Sequence, residues 1–413
     1  MTSAHEPLTT DAPWLASIIS LRPDQKSLRL APPVKRPSPT ALLLRDLVAI
    51  PSVNPAFLPP DDPRTGEARM AAFLQERATQ EGLESSLQDV TPDRSNLVVR
   101  LAPRGPVRRT VLLAPHLDTV GFPALDELLQ PRITGGRLRG RGACDTKGCV
   151  AAMFSAVCAL ARSGRRPQET EIRFIGLVDE ENGQLGSRFY ATHTRPADLA
   201  IVGEPTRLEV VSAHKGDVWL ELRTRGRSAH GATPHLGINA VHRMARAVHT
   251  LETTYAASLR RRRHPLLGHA TINVGSIRGG TQPNIVPEEC VISIDRRTLP
   301  GETEASVKRE IRSALRAAGV QAAFHPLRLA PCPPLETDPE HPLVQSLLQA
   351  AGRKRTTGVH YFCDAAPLAA GGTPSVVFGP GDIRQAHTRD EWISLASLDR
   401  GTAILERFLR ALP

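Results

Sequence analysis

A chain of 413 residues exceeds what one hydrophobic core usually holds, so two domains are expected. The composition is that of a globular protein, 40% hydrophobic and 23% charged, with no apolar run of eighteen residues to span a bilayer and no secretory signal pattern at the start. The net charge of +10 invites a nucleic-acid reading, but the densest basic run, the four arginines at 260–263, has no interleaved aromatics and ends a predicted helix, where positive charge suits the helix dipole. Neither a nucleic-acid nor a membrane partner is expected. Six cysteines without a CxxC pair make no disulfide framework or zinc finger, which points to reduced thiols and a cytoplasmic protein.

Residues 1–37 are rich in proline and polar residues and read as a poorly ordered extension. Ser38 and Pro39 then form a helix start, N-cap followed by proline, leading into "TALLLRDLVAI". A second helix is expected over 66–81. "SNLVVRL" and "TVLLAP" read as strands, "KGCVAAMFSAVCALARSG" as a helix closed by Gly164, and "EIRFIGLV", "ADLAIV" and "PSVVFG" as further strands. These runs are continuously apolar, which suits strands buried on both faces of a mixed, largely parallel sheet flanked by helices. The segment 217–329 differs. "GDVWLELRTRG" alternates, a helix follows over 238–262, then "ATINVGSI", "CVISIDRR", a helix over 303–318 and a strand near "VQAAFHPLRL". That order, β-α-β-β-α-β, is the ferredoxin-like plan. The fold class is therefore α/β, with a main domain over 38–216 and 330–413 and an inserted ferredoxin-like α+β domain over 217–329.

Chemistry gathers where the apolar strands end. His116 and Asp118 follow "TVLLAP", and Asp179, Glu180 and Glu181 follow "EIRFIGLV". Glu204 follows "ADLAIV", and "PSVVFGPG" leads to His387. Asp145 stands in the glycine-rich turn "GRGACDTKG" before a helix. In open α/β sheets ligands collect at the carboxyl ends of strands. Taken singly, each residue has an ordinary explanation: His116 a core histidine, Asp118 a turn cap, Glu204 a loop charge, Asp145 and Lys147 a surface pair. Together, two histidines and several carboxylates are ligands for zinc or a similar ion. One ion would leave ligands spare, whereas two ions about 3.5–4 Å apart, sharing a carboxylate, would use five and activate a water between them. One acid of the "DEE" cluster can then ligate while a neighbour stands free as general base.

The motifs "PHLDTV", "GRGACDTKG", "VDEENGQLGSR", "VGEPT", "GRSAHGATPHLGINA", "GGTQPNIVPEECVISIDRR" and "GPGDIRQAHTRDEW" resemble, in order, those of a family of co-catalytic zinc hydrolases. That family contains acetylornithine deacetylase, succinyl-diaminopimelate desuccinylase, aminoacylase and carboxypeptidase G. The resemblance implies two Zn2+, replaceable by Co2+, with His116 and Glu204 on one ion, Glu181 and His387 on the other, and Asp145 between them. It makes Asp118 the residue that orients the His116 ring and Glu180 the general base. The inserted domain would be a lid that also forms a homodimer, from which His230 would reach the other subunit's site and stabilise the oxyanion. Asn284 and Arg297 would hold a substrate α-carboxylate. The C-terminal "YFCDAAPLAAGGTPSVVFGPGDIRQAHTRDEW" resembles acetylornithine deacetylases in particular, although "CDAAP" departs from the usual acidic residue after Asp364. The implied reaction is hydrolysis of an N-acyl amino acid amide, N-acetylornithine first, within arginine biosynthesis. A desuccinylase, another aminoacylase or a carboxypeptidase of the same family is the alternative. From other classes, a dimetal phosphoesterase and an inactive binding protein also compete, the first without an evident phosphate cradle.

Overall fold

The first helix begins where its sequence signal lies. The Ser38 side chain accepts a hydrogen bond from the Ala41 N–H, Pro39 occupies the first turn, and α1 runs over Pro39–Ala49. The computed structural model describes residues 36–123, 125–328 and 330–413. The extension expected over 1–37 lies almost wholly outside the described residues.

The larger sheet has the order β1 (Glu84–Thr91), β2 (Arg94–Leu101), β6 (Thr170–Gly176), β3 (Arg109–Pro115), β7 (Leu199–Gly203), β15 (Ser375–Val377), β8 (Val211–His214), β13 (Leu335–Glu336), with β14 (Thr357–Val359) also paired to β8. It is a mixed sheet, as its sequence pattern suggested. The central block β6-β3-β7-β15 is parallel, while β1, β2 and β13 pair antiparallel at the margins. β1 escaped the sequence reading because "ESSLQDVT" lies at the sheet edge and carries almost no apolar signal.

The parallel strands are apolar without alternation because both faces are covered. Val111 and Leu113 of β3 pack on one side against α1, α2 (Ala68–Gln80), α4 (Lys147–Arg162), α9 (Pro342–Ala351) and α11 (Leu395–Arg410). Leu112 and Ala114 pack on the other against α5 (Leu185–His193) and α10 (Ala365–Ala370). Each fully buried leucine contributes about 1.5–3 kcal/mol relative to exposure, so these central strands are the rigid base on which the loops beyond them stand.

A second, wholly antiparallel sheet has the order β10 (Thr271–Gly279), β11 (Glu289–Thr298), β9 (Gly216–Arg225), β12 (Ala323–Pro326). Between β9 and β10 run α6 (Ala240–Thr250) and α7 (Ala256–Arg260), joined by a π turn over Leu251–Tyr255, and α8 (Glu304–Ala317) lies between β11 and β12. This is the ferredoxin-like arrangement. The alternation in β9 and β11 has a direct cause. Leu220, Leu222, Ile292 and Ile294 face Met244, Val307, Ile311 and Leu315 of the helices, while Trp219 and Asp295 face outward.

A small third sheet, β16 (Trp392–Ser394), β5 (Arg137–Arg139), β4 (Arg132–Thr134), joins the C-terminal segment to the chain just before the glycine-rich turn; the short α3 (Leu125–Leu128) precedes it. No helix among the described residues is long and apolar enough to cross a membrane.

Candidate active site

Four adjacent parallel strands deliver their following residues to one edge. β3 ends at Pro115 and is followed by His116 and Asp118, β6 leads to Asp179–Glu181, β7 to Glu204, and β15 to the loop bearing His387. Asp145 arrives from the turn that opens α4, where Gly142 adopts φ +78°, a left-handed conformation that favours glycine.

The five expected metal ligands converge. His116 Nε2 lies 3.2 Å from Asp145 Oδ1 and 3.8 Å from Glu204 Oε1. His387 Nε2 lies 3.3 Å from Asp145 Oδ2 and 3.0 Å from Glu181 Oε2. Asp145 therefore turns one oxygen to each histidine, with Glu204 beside His116 and Glu181 beside His387. Glu180 belongs to the same cluster: ligand atoms of His116, Glu180 and Glu204 lie within 4.8 Å of one another. His387 closes the site from the solvent side, with 55% of its side chain exposed, while His116 and Asp145 are buried.

The electrostatics of the cluster call for cations. Burial, then the nearby Glu204, pushes the Glu180 carboxyl well above the usual range, and burial with Asp145 and Glu181 beside it does the same to Glu204. Burial raises Glu181 as well. Against its own desolvation, Asp145 is held below the usual range by hydrogen bonds to His116 and His387. Asp145 and Glu181 raise His387 to about 10. Among the described residues no arginine or lysine pairs with any of these four carboxylates. Lys147 does not: its Nζ is buried and donates to the Leu47 and Ile50 carbonyls at the end of α1. Two imidazoles and several buried carboxylates, short of positive charge, are a donor set that fits divalent ions.

Around this cluster lies a frame of which the sequence had pointed only to Asp118. His116 Nδ1 is 3.0 Å from the Asp118 main-chain carbonyl and 3.4 Å from its carboxylate. The Asp118 carboxylate also accepts the backbone N–H groups of Glu180 and Glu181, both at 3.1 Å. It thus touches the histidine and fixes the two acids of the next loop. Asn54 Nδ2 donates to Asp118 at 2.7 Å and to Asp179 at 2.9 Å. Arg94 pairs with Asp179 and Glu67. Asp179 adopts φ +69°, tolerable for aspartate, so the chain reverses there while Glu180 and Glu181 stay in the cluster. Asp364 is buried and accepts the Ser187 hydroxyl at 2.5 Å. Asn54, Glu67 and Arg94 carried no local signal, since a polar residue at a turn or strand start is ordinary.

The lid residues are placed differently. His230 and Asn284 are exposed on adjoining loops, with Gly231 N–H donating to the Asn284 carbonyl and His230 bridged to Ile285. Neither hydrogen-bonds to the metal-ligand cluster among the described residues. Arg297 on β11 forks onto Asp295 through two contacts of 2.9 Å and lies over the Phe362 ring, just before Asp364.

Residues 112–411 match the family model described as peptidase family M20/M25/M40. The chain is 32% identical to the acetylornithine deacetylase of Proteus mirabilis over 371 residues, 86% of this chain and 92% of that one. It is 30% identical to the acetylornithine deacetylase of Vibrio cholerae over 358 residues, covering 84% and 92%. Among solved structures, the aminopeptidase PepT of Bacillus cereus superposes with a TM-score of 0.70 at 24% identity, over 90% of this chain and 97% of that one. The Bacillus subtilis YXEP protein, described as a dinuclear metal binding peptidase from the M20 family, superposes at 0.65 with 14% identity, over 90% and 96%. The chain belongs to peptidase family M20/M25/M40 and is a hydrolase of that family.

Proposed function

We propose that this hydrolase cleaves the amide bond of N-acyl amino acids, N-acetylornithine first among them, at a pair of zinc ions. The observation that carries this reading is the Asp145 carboxylate, one oxygen toward His116 and the other toward His387. His116 and Glu204 would hold one ion, Glu181 and His387 the other, and Asp145 both. Bound there, the pair would polarise the acyl carbonyl and acidify a water.

The chain's own groups do the rest. Glu180, held by Asp118 through its backbone N–H, takes a proton at a carboxylate oxygen and returns it to the departing amine nitrogen. Arg297 and Asn284 hold the α-carboxylate, which replaces Asp295 on the arginine fork. The 217–329 segment acts as the lid, and His230 serves the second subunit of a homodimer, donating to the carbonyl oxygen as charge develops there. The solvent-facing edge strand β10 and the exposed position of His230 support that arrangement. Six free, buried cysteines support residence in a reducing cytoplasm. Identity of about a third to acetylornithine deacetylases over most of the chain supports the substrate.

Zinc-loaded protein should release free amine from N-acetylornithine faster than from N-succinyl-diaminopimelate, other N-acyl amino acids or a dipeptide, and should leave a phosphate monoester untouched. Turnover of the phosphate ester, with no acyl amino acid hydrolysed, would remove the reading.

A further inference from the structure

Glu391 follows His387 by four residues and is 1% exposed, yet no role in chemistry falls to it. Its two oxygens are saturated with donors from a segment some 250 residues away. Oε1 accepts the backbone N–H of Cys144 at 2.8 Å and of Asp145 at 2.9 Å. Oε2 accepts the Gly142 N–H at 2.9 Å and Arg141 Nη1 at 2.7 Å. The grip is reciprocal: Arg141 Nη2 donates to the Thr388 carbonyl at 3.0 Å, and the Gly140 N–H to the Glu391 carbonyl at 3.1 Å. Just beyond, β16 pairs with β5. The turn that presents Asp145 and the loop that presents His387 are thereby fastened to each other.

We propose that Glu391 is a positioning residue for the metal site, clamping the Asp145 turn to the His387 loop so that the shared carboxylate meets both histidines. The proposal rests on the dinuclear reading above. Its physical content is geometric. A carboxylate shared by two ions must place both oxygens at once, and backbone freedom at residues 142–145 would spoil both placements together. Only an acceptor-only group satisfies four converging donors. Glutamine at 391 would turn its NH2 toward either Cys144 and Asp145 or Gly142 and Arg141, donor against donor. Residues that hold metal ligands in place typically govern 10–100-fold in metal affinity, as a rough guide. A merely structural buried ion pair makes a different prediction: a lower melting temperature with ion affinity unchanged.

The test uses the full chain, stripped of metal and titrated with Co2+ by visible absorption and with Zn2+ against a chelator. The wild type, E391Q, E391D and R141K are compared, with the melting temperature of each metal-free protein measured in parallel. The wild type is expected to bind about two ions. E391Q should bind at least one of them about tenfold or more weakly, with E391D and R141K in between. Folded E391Q that binds both ions within about twofold of wild type overturns the clamp. Should E391Q fail to fold, E391D and R141K decide, and wild-type affinity in both overturns it equally. A wild type that binds no ion overturns the dinuclear reading and the clamp together, and its own titration distinguishes that case from failure of the clamp alone.

Discussion

Asp179 Oδ1 accepts a hydrogen bond from Arg94 Nη1 at 2.7 Å, which separates the three consecutive acids of "DEE" into three duties. Asp179 is turned into the protein, against Arg94 and Asn54, and does not join the ligands. Glu180 stands in the cluster without a cationic partner, and Glu181 faces His387. Asp179 and Glu181 are each offset by a different cationic partner, Arg94 and His387, while Glu180 is left without one.

Replacing Arg94 by methionine would leave Glu67 and Asp179, both about 1% exposed, as buried carboxylates without their cation. Breaking a buried pair in this way costs roughly 3–5 kcal/mol. Urea unfolding of metal-free Arg94→Met should show a loss of that order, and a midpoint equal to wild type would contradict the role given to the pair.

Glu180→Gln keeps the size of the side chain and removes its capacity to take a proton. Turnover should fall by about 10²–10⁴ while the protein retains both ions. Ion analysis alongside steady-state kinetics checks this, and undiminished turnover would take the general base away from Glu180.

Metal uptake should depend on pH in a definite direction. In the metal-free protein Asp145 and Glu181 raise His387 to about 10, so the imidazole is protonated near neutrality and must lose that proton to ligate. The sign follows: the pairing stabilises the metal-free fold fully below about 6.5, the ordinary histidine value, and that stabilisation is lost as pH rises through about 10. An ion competes against it, so Zn2+ affinity should increase between about pH 6 and pH 8, with proton release. Calorimetric titration in buffers of different ionisation enthalpy reads both quantities. Affinity independent of pH, with no proton released, is the contrary result.

Arg297→Ala should raise KM and lower kcat/KM by roughly ten- to a hundredfold, the range for a lost hydrogen bond to a charged group. Ion content should stay at the wild-type level. A substrate whose α-carboxylate is replaced by an amide should feel the substitution far less. Loss of metal in this variant would place Arg297 in the fold of the site and not on the substrate.

How much of this was visible beforehand depended on locality. His116, Glu181 and Glu204 each stand within a few residues of an apolar run, and parallel strands carry such residues to one edge, so strand signals located them. His387 lies ten residues beyond the end of β15, in a loop without periodicity, so the strand "PSVVFGPG" pointed to it more loosely and its motif added the rest. Asn54, Arg94 and Glu391 meet their partners across 64, 85 and about 250 residues, distances at which nothing local betrays a contact. Lys147 shows the same limit from the other side. Beside Asp145 in sequence it looks like an exposed ion-pair partner, yet it is buried on the carbonyls of Leu47 and Ile50. The single helix expected over 238–262 is interrupted by a π turn at Leu251–Tyr255, where Tyr255 is buried and accepts a hydrogen bond from Arg296.

The account turns on Asp145 serving two ions at once. Ion content per chain, measured by plasma emission after dialysis against buffered Zn2+, tests it most directly in the wild type beside Asp145→Ala. The wild type should hold about two ions per chain and the variant no more than one. A wild type that never exceeds one, or an Asp145→Ala protein that keeps both, would contradict it.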